Sequence, residues 1–298
     1  MNLEEIKEMR EEHKRRTTPR EIRSMAIAQE VADLCFDTNV RASQGMKDAI
    51  AAARARETSE PAKKALDMMI QNMAVAETEY IPMCQDTGMI VVFVDIGQHV
   101  RLTGPHLTAE INASISDMWA EGRLRASVVK DPFYRENTEY NDPAVVHYNI
   151  VEGNEVTIRV MPKGFGSENK SALKMLTPAD GMEGVKKFVL DTVAAAGDSP
   201  CPPLIVGIGI GGTMEKAALL AKEALFGDIT QPHPDPHWAA MEAELLEKIN
   251  AQGVGVAGLG GNNTALGVNI LTYATHIAGL PVAVNLSCHV ARHGFAIL

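Results

Sequence analysis

The sequence contains no long apolar run. Its N-terminal segment, MNLEEIKEMREEHKRRTTPREI, is densely charged and includes no apolar stretch of signal-peptide length. Elsewhere no stretch approaches the roughly 18–20 uninterrupted apolar residues that a membrane-spanning helix needs. We therefore expect a cytoplasmic protein with no membrane partner. Apolar residues make up 46% and charged residues 22% of the 298 residues, which is typical of a folded globular protein.

The sequence also lacks an excess of basic residues. Its formal net charge is −10 at pH 7. Nucleic acids and anionic membranes both select basic surfaces, so we expect neither as a partner. An acidic chain can still contain a local positive pocket, and the charge is therefore compatible with a small anionic substrate.

Cysteine is scarce, with four residues in the chain. In a reducing cytoplasm so few cysteines do not predict disulfides, which leaves metal binding, catalysis or core packing. Cys35 lies in the helical pattern EVADLCFDT and is expected to pack as a small hydrophobic side chain. Cys84 has no second cysteine within a few residues, so the spacing typical of a zinc finger is absent.

The pattern of apolar residues predicts an α/β (mixed α+β) fold. Residues 1–80 repeat apolar positions three and four apart, which predicts an N-terminal helical region with a break at Pro61. Strands and helices alternate over 81–298, beginning with the buried strand MIVVFVDIG (89–97). Two strands around 152–154 predict a hairpin. We expect one domain, 1–298, in which the helical region packs on a mixed-sheet core with Gly-rich strand-to-helix loops.

Cys84, Cys201 and Cys288 all lie in Pro- or Gly-rich loops beside predicted strands, within PMCQDTG, DSPCPPLIVG and NLSCHVARHG. Loops at strand ends are where α/β proteins assemble their sites. One such thiol alone is best explained by burial, but three together favour a metal centre. Three thiolates can hold zinc, or a [4Fe-4S] cluster in which one iron has no protein sulfur. Their wide spacing along the chain argues against a ferredoxin-type electron carrier.

Three glycine loops have two interpretations each. VGIGIGG matches G-x-G-x-x-G through Gly207, Gly209 and Gly212, but the acidic ribose partner expected about 20 residues later is missing. Close packing of strand and helix is therefore favoured over dinucleotide binding. The loops PKGFGSENKSALK (162–174) and GLGGNNTALG (258–267) are either turns with helix caps or cradles whose N–H groups face an anion.

Several polar residues are candidates for substrate contact. Gln85 and Asp86 follow Cys84 directly and either orient and protonate a substrate or form an ordinary turn. Arg125 either pairs with a substrate carboxylate through two hydrogen bonds or is a solvated residue at a helix end.

Four segments, CQDTG, KGFGSENKS, CPPLIVGIGIGGTMEKAALLAKEAL and NLSCHVARHG, resemble the class I (iron–sulfur) fumarate hydratases. The likeness is to the α subunit of the two-subunit type, which is related to the L(+)-tartrate dehydratase α subunit, and it runs from about residue 10 to the end. It implies a [4Fe-4S] cluster held by Cys84, Cys201 and Cys288. It also implies that a dicarboxylate faces Gln85, Asp86, Arg125 and the backbone around Gly166, although Phe165 replaces a glycine usual in that loop.

The resemblance further implies the reversible hydration of fumarate to L-malate, because GSENKS and CHVAR are more similar to fumarase than to tartrate dehydratase. It implies a fumarate hydratase β subunit as partner in an α2β2 heterotetramer. That subunit would supply the main catalytic base, with Asp86 assisting as a proton relay. The alternatives are an L(+)-tartrate dehydratase α subunit, an iron–sulfur redox or sensor protein, and an NAD-dependent oxidoreductase.

Overall fold

The computed structural model describes residues 16–298, so the expectation of helix over 1–15 lies outside the described residues. The helices are α1 Ser24–Val40, α2 Gln44–Arg56, α3 Glu60–Glu79, α4 Leu107–Glu121, α5 Phe165–Glu168, α6 Gly181–Ala196, α7 Met214–Ala224 and α8 Pro236–Ala251. The strands are β1 Arg20–Arg23, β2 Met89–Gly97, β3 Val100–Thr103, β4 Val145–Val151, β5 Val156–Lys163, β6 Ala172–Leu176, β7 Leu204–Gly211, β8 Ala265–Tyr273, β9 Leu280–Ser287 and β10 Gly294–Ile297. The mixed α/β class is as predicted.

Across residues 16–298, none of the helices combines the length and the apolar character that crossing a bilayer requires.

The contacts within the chain divide it into two compact units. The first contains the described residues up to Val40, together with Cys84–Lys163 and Arg292–Leu298. The second contains Arg41–Met83 and Gly164–Ala291. Each unit has its own hydrophobic core and its own four-stranded sheet. The assignment of the whole chain to one functional domain stays a prediction.

The first unit is built on a sheet with the strand order β10-β5-β2-β4. β2 is the strand predicted from MIVVFVDIG, and it lies between an antiparallel neighbour, β5, and a parallel one, β4. Apolar side chains of β2 pack with those of α1 and α4, including Ile90, Val92, Ile27, Ile111 and Trp119. The small parallel pair β1–β3 completes the unit, so residues 20–23 form a strand inside a region predicted to be helical.

The predicted hairpin around 152–154 is wrong. β4 and β5 lie on opposite sides of β2 and do not pair with each other. The connection between them instead caps the end of β2, because the His99 N–H donates to the Gly153 carbonyl at 3.0 Å and the Gln98 N–H donates to Val151 at 2.8 Å. β2 is the most apolar of the three strands, and it takes the central position, where most of its residues are buried.

The second unit has the strand order β6-β9-β7-β8, with β7 parallel to β8 and antiparallel to β9. All eight residues of β7 are buried. Side chains from α6 and α8 join the core of this sheet, including Val189, Val193 and Leu245. Helix α7 packs against β7 and β9 through alanines, among them Ala217 and Ala221, which lie against Ala283.

Glycines of the VGIGIGG segment let α7 approach β7 closely. A Cβ on Gly209 would lie 2.1 Å from the Ala217 carbonyl oxygen and 2.6 Å from the Ala221 nitrogen. A Cβ on Gly207 would lie 2.3 Å from the Ala221 carbonyl oxygen. Both glycines are inside the strand and do not form a phosphate-binding turn, so close packing of strand and helix is confirmed as their role.

Substituting Gly209 by alanine is expected to lower the stability of the chain strongly, because the new methyl group meets helix backbone that cannot move aside. Overpacking of this kind typically costs about 1–3 kcal/mol. The shift in thermal midpoint measures it, with Gly279→Ala as the matched control, since a Cβ there meets nothing closer than 3.9 Å. Equal midpoints for the two variants would contradict the packing role.

Candidate active site

The CQDTG loop turns sharply before it enters β2. Gly88 has φ +81°, and a Cβ there would lie 2.6 Å from the Pro162 carbonyl carbon, because β5 pairs with β2 at this point. The Gly88 N–H donates to Asp86 Oδ1 at 3.0 Å. Asp86 therefore makes the turn contact that its sequence position predicts, and glycine is required at 88 by both conformation and space.

Thr87 ties this loop to the segment that carries Arg125. The buried Thr87 Oγ1 donates to the Arg125 carbonyl oxygen at 2.6 Å, and Trp119 Nε1 donates to the same oxygen at 3.2 Å. The Arg125 side chain remains exposed. The structure thus brings Arg125 to the loop that carries Asp86 and Gln85, as substrate binding by all three would require.

Asn141 is a second anchor of the same loop. Its buried side chain donates through Nδ2 to the Gly88 carbonyl at 2.9 Å and accepts at Oδ1 from the Ser127 N–H at 2.8 Å. Neither Asn141 nor Thr87 was identified by the sequence analysis. Thr87 lies inside CQDTG and could have been noticed there, whereas no local pattern distinguishes Asn141 from an ordinary turn residue.

Cys84 is half-buried at the start of the loop. Its Sγ lies 3.6 Å from Gln85 Oε1, and the Gln85 side chain is exposed. Cys35 differs, because it is fully buried in the core beside α4 and burial raises the pKa of its thiol. A raised pKa disfavours the thiolate that metal binding needs, which confirms Cys35 as a packing residue.

Cys201 and Cys288 lie at the same end of two neighbouring strands in the second unit's sheet. Cys201 precedes β7 and Cys288 follows β9, and the two strands are antiparallel neighbours with Ile205 opposite Ser287. His289 joins the two segments, since its N–H donates to the Cys201 carbonyl at 3.4 Å and its Nδ1 lies 3.0 Å from the same oxygen. Burial lowers the pKa of the His289 imidazole, and this hydrogen bond opposes the shift.

Gly166 lies in the short helix α5, beside the Cys201 turn. A Cβ on Gly166 would be 3.8 Å from the Ser199 carbonyl oxygen. The same segment is held to β9, because Asn285 Nδ2 donates to Glu168 Oε2 at 3.2 Å and the Leu286 N–H donates to Ser171 Oγ at 3.2 Å. Gly164 caps only the four-residue helix α5, and the loop then continues into strand β6.

Thiols in these positions suit an iron–sulfur cluster by their chemistry. Cys84, Cys201 and Cys288 are each reached by solvent to some degree and belong to loops at strand ends. Within residues 16–298, no group of three or more His, Cys, Asp or Glu side chains is arranged to hold a metal ion. The thiols fit an iron–sulfur cluster by donor type alone, and the choice of these three ligands stays a prediction.

The fold and these loops define a mixed α/β protein with cysteine-bearing loops at strand ends and an arginine held beside an acidic turn. The chain belongs to the fumarate hydratase (Fumerase) family, whose model matches residues 28–296.

Relatives of this chain include α subunits of a second enzyme. A Methanocaldococcus jannaschii protein described as a candidate L(+)-tartrate dehydratase subunit alpha is 42% identical over 274 residues, which is 90% of this chain and 96% of that protein. The L(+)-tartrate dehydratase subunit alpha of Escherichia coli K12 is 32% identical over 268 residues, covering 89% of this chain and 88% of the relative.

Proposed function

We propose that the chain is the α subunit of an iron–sulfur hydro-lyase that interconverts fumarate and L-malate. The observation that carries the proposal is the family match over residues 28–296. The hydrogen bond from Thr87 to the Arg125 carbonyl supports it, because it holds the backbone of Arg125 to the loop that carries Cys84 and Asp86. L(+)-tartrate is the second candidate substrate, favoured by the names of the relatives.

Cys84, Cys201 and Cys288 are the proposed ligands of a [4Fe-4S] cluster. Thiolates are the usual protein ligands of such clusters, and three of them leave one iron without a protein sulfur. When bound, the cluster supplies a Lewis acid for the step in which water adds to the substrate or leaves it.

The chain's own residues have separate roles in this proposal. Arg125 pairs with one substrate carboxylate through two parallel hydrogen bonds, which fixes both position and orientation. Gln85 donates to a substrate oxygen through its amide, and Gly166 leaves room for a carboxylate to approach the backbone. Dehydration also requires removal of a proton from a weakly acidic carbon. Asp86 relays that proton at its carboxylate, and the main base belongs to a companion subunit.

The proposed partner is a fumarate hydratase β subunit in an α2β2 assembly in the cytoplasm. Its support is that the relatives are named as α subunits. The proposal includes no nucleic-acid partner, because a net charge of −10 does not favour one.

Anaerobic reconstitution with iron and sulfide, with and without the companion subunit, tests the proposal. We expect visible iron–sulfur absorption and a hydratase activity that needs both subunits, with both signals lost together in air. Fumarate, L(+)-tartrate and mesaconate are compared by kcat/KM, and a higher value for L(+)-tartrate would favour the second candidate.

Two other outcomes of the reconstitution contradict a hydro-lyase. A stable cluster without activity on any of the three acids, in the presence of the companion subunit, would indicate a redox or sensor protein. Tight NAD binding without iron would indicate an oxidoreductase.

A further inference from the structure

Glu57 is a buried carboxylate that the proposed mechanism does not use. It follows α2 directly and is 3% exposed. Its Oε1 accepts from the Thr58 N–H at 2.8 Å and the Ser59 N–H at 3.0 Å. Its Oε2 accepts from the Asn262 N–H at 3.0 Å and from Asn263 Nδ2 at 2.7 Å. A buried carboxylate that accepts this many hydrogen bonds, from two segments of the chain, holds those segments together.

The loop that receives Glu57 is shaped around its carboxylate. Gly261 has φ +99°, which favours glycine, and a Cβ there would lie 2.5 Å from Glu57 Oε1. The backbone N–H of Asn262 in the GLGGNNTALG loop thus faces an anion, and that anion is the side chain of Glu57. Burial acts to raise the pKa of Glu57, but hydrogen bonds from Ser59, Asn263, Asn262 and Thr58 outweigh it and hold the pKa below its usual value.

Residues 258–264 of this loop belong to a longer connection, loop 254–264. Loop 254–264 contacts the C-terminal side of the Cys201 turn. The Ala257 N–H donates to the Pro202 carbonyl at 2.8 Å. The Leu204 N–H donates to the Thr264 carbonyl at 2.8 Å. Two backbone hydrogen bonds therefore fix the residues that directly follow Cys201.

Loop 254–264 also contacts the N-terminal side of the Cys201 turn. Gly258 packs so closely on Asp198 that a Cβ on the glycine would lie 2.6 Å from Asp198 Cβ. The Asp198 carbonyl accepts the N–H of Cys201 at 3.0 Å. The loop thus brackets the turn from both ends.

Cys201 needs such support because its backbone is strained. Its φ is +55°, in the left-handed region that residues with a side chain rarely occupy. A conformation of this kind persists only where the surrounding structure imposes it. The contacts of loop 254–264 are part of that surrounding structure, beside the hydrogen bonds from His289 to the Cys201 carbonyl, and the Glu57 carboxylate holds the loop.

We propose that Glu57 is a positioning residue that keeps the Cys201 thiol in its ligand conformation by anchoring loop 254–264. The role of Cys201 as a ligand rests on the proposed function, whereas the mechanical coupling between Glu57 and the Cys201 turn does not. Arg56 reinforces the anchor, since its Nε donates to Asn263 Oδ1 at 2.7 Å.

The first test measures backbone hydrogen exchange in the purified chain without iron. Glu57→Gln keeps the side-chain volume but replaces one carboxylate oxygen by an NH2 group. That group is a donor and cannot accept the N–H hydrogen bonds that the oxygen accepts. We expect exchange to accelerate by about tenfold or more in peptides covering 198–204 and 254–264, and to stay unchanged in β2. Glu60→Gln is the matched control, because Glu60 is an exposed partner of Lys63 three residues further on.

The second test uses the reconstituted complex. We expect Glu57→Gln to lose its cluster in air about tenfold faster than the parent and to retain the parent kcat per cluster. Glu57→Asp, which keeps a carboxylate, is expected to fall between the two and serves as the test variant if Glu57→Gln does not fold.

Three results would overturn the inference or the proposal beneath it. Unchanged exchange over 198–204, with faster exchange over 254–264, would show that the anchor does not reach Cys201. Faster exchange with a parental rate of cluster loss would remove the role in ligand positioning. A parent complex without iron would overturn the proposed function and leave the coupling measured by exchange intact.

Discussion

Replacing Cys201 by serine is expected to abolish iron loading of the reconstituted complex and, with it, hydratase activity. A serine hydroxyl is not deprotonated near neutral pH and is a poor ligand for iron compared with a thiolate. Changes to residues merely surrounding metal ligands already cost about 10–100-fold in affinity. We therefore expect iron content and activity to fall by more than about 100-fold. The same result is expected for Cys84→Ser and Cys288→Ser.

Cys35→Ala is the control for the cysteine series. Cys35 is fully buried among apolar side chains in α1, so its removal should cost about 1 kcal/mol of stability. Iron content and activity per folded chain should remain at the parent level. Iron retained by Cys201→Ser, or lost equally from Cys35→Ala, would show that the ligand assignment is wrong.

The elements predicted correctly are those determined by their own residues. MIVVFVDIG is apolar apart from Asp95 and ends at glycine, and it forms β2 over the predicted residues. Helix α6 ends at Ala196 with Gly197 as its cap, because glycine adopts the positive φ found there. The burial of Cys35 followed from its helical surroundings in the same way.

Strand pairing could not be predicted from local patterns. β4 and β5 each have strand character and a turn between them, and that pattern is equally compatible with a hairpin and with pairing on either side of a third strand. The choice depended on β2, which pairs with β5 along one edge and with β4 along the other. The strand Arg20–Arg23 likewise depends on its partner β3.

The same distinction between local pattern and long-range contact applies to the candidate site. The cysteines and the residues beside them were visible because unusual residue types occur together in loops. Apart from Thr87, their supports were not visible, since each depends on contact between distant parts of the chain. Glu57 has an ordinary local sequence, and its role follows only from the Gly261–Asn263 backbone that folds around it.

Replacing Arg125 by methionine is expected to lower kcat/KM for the dicarboxylate by about 100-fold or more without changing the iron content. Methionine keeps most of the length of the side chain and removes the guanidinium group. Hydrogen bonds to charged groups contribute about 1.5–3 kcal/mol each, and a bidentate pair makes two of them. The Thr87 contact should survive, because it uses the Arg125 carbonyl and not the side chain.

Arg123→Met is the matched control, because Arg123 is also exposed and lies only two residues away. Its kcat/KM should stay within about threefold of the parent, since an exposed charge without a direct partner contributes little. Arg125→Lys separates charge from geometry: an ammonium group restores attraction but not the planar pair of donors. Its kcat/KM should therefore lie between those of Arg125→Met and the parent. Equal losses for Arg123→Met and Arg125→Met would show that general charge, and not a contact from Arg125, draws the substrate to the site.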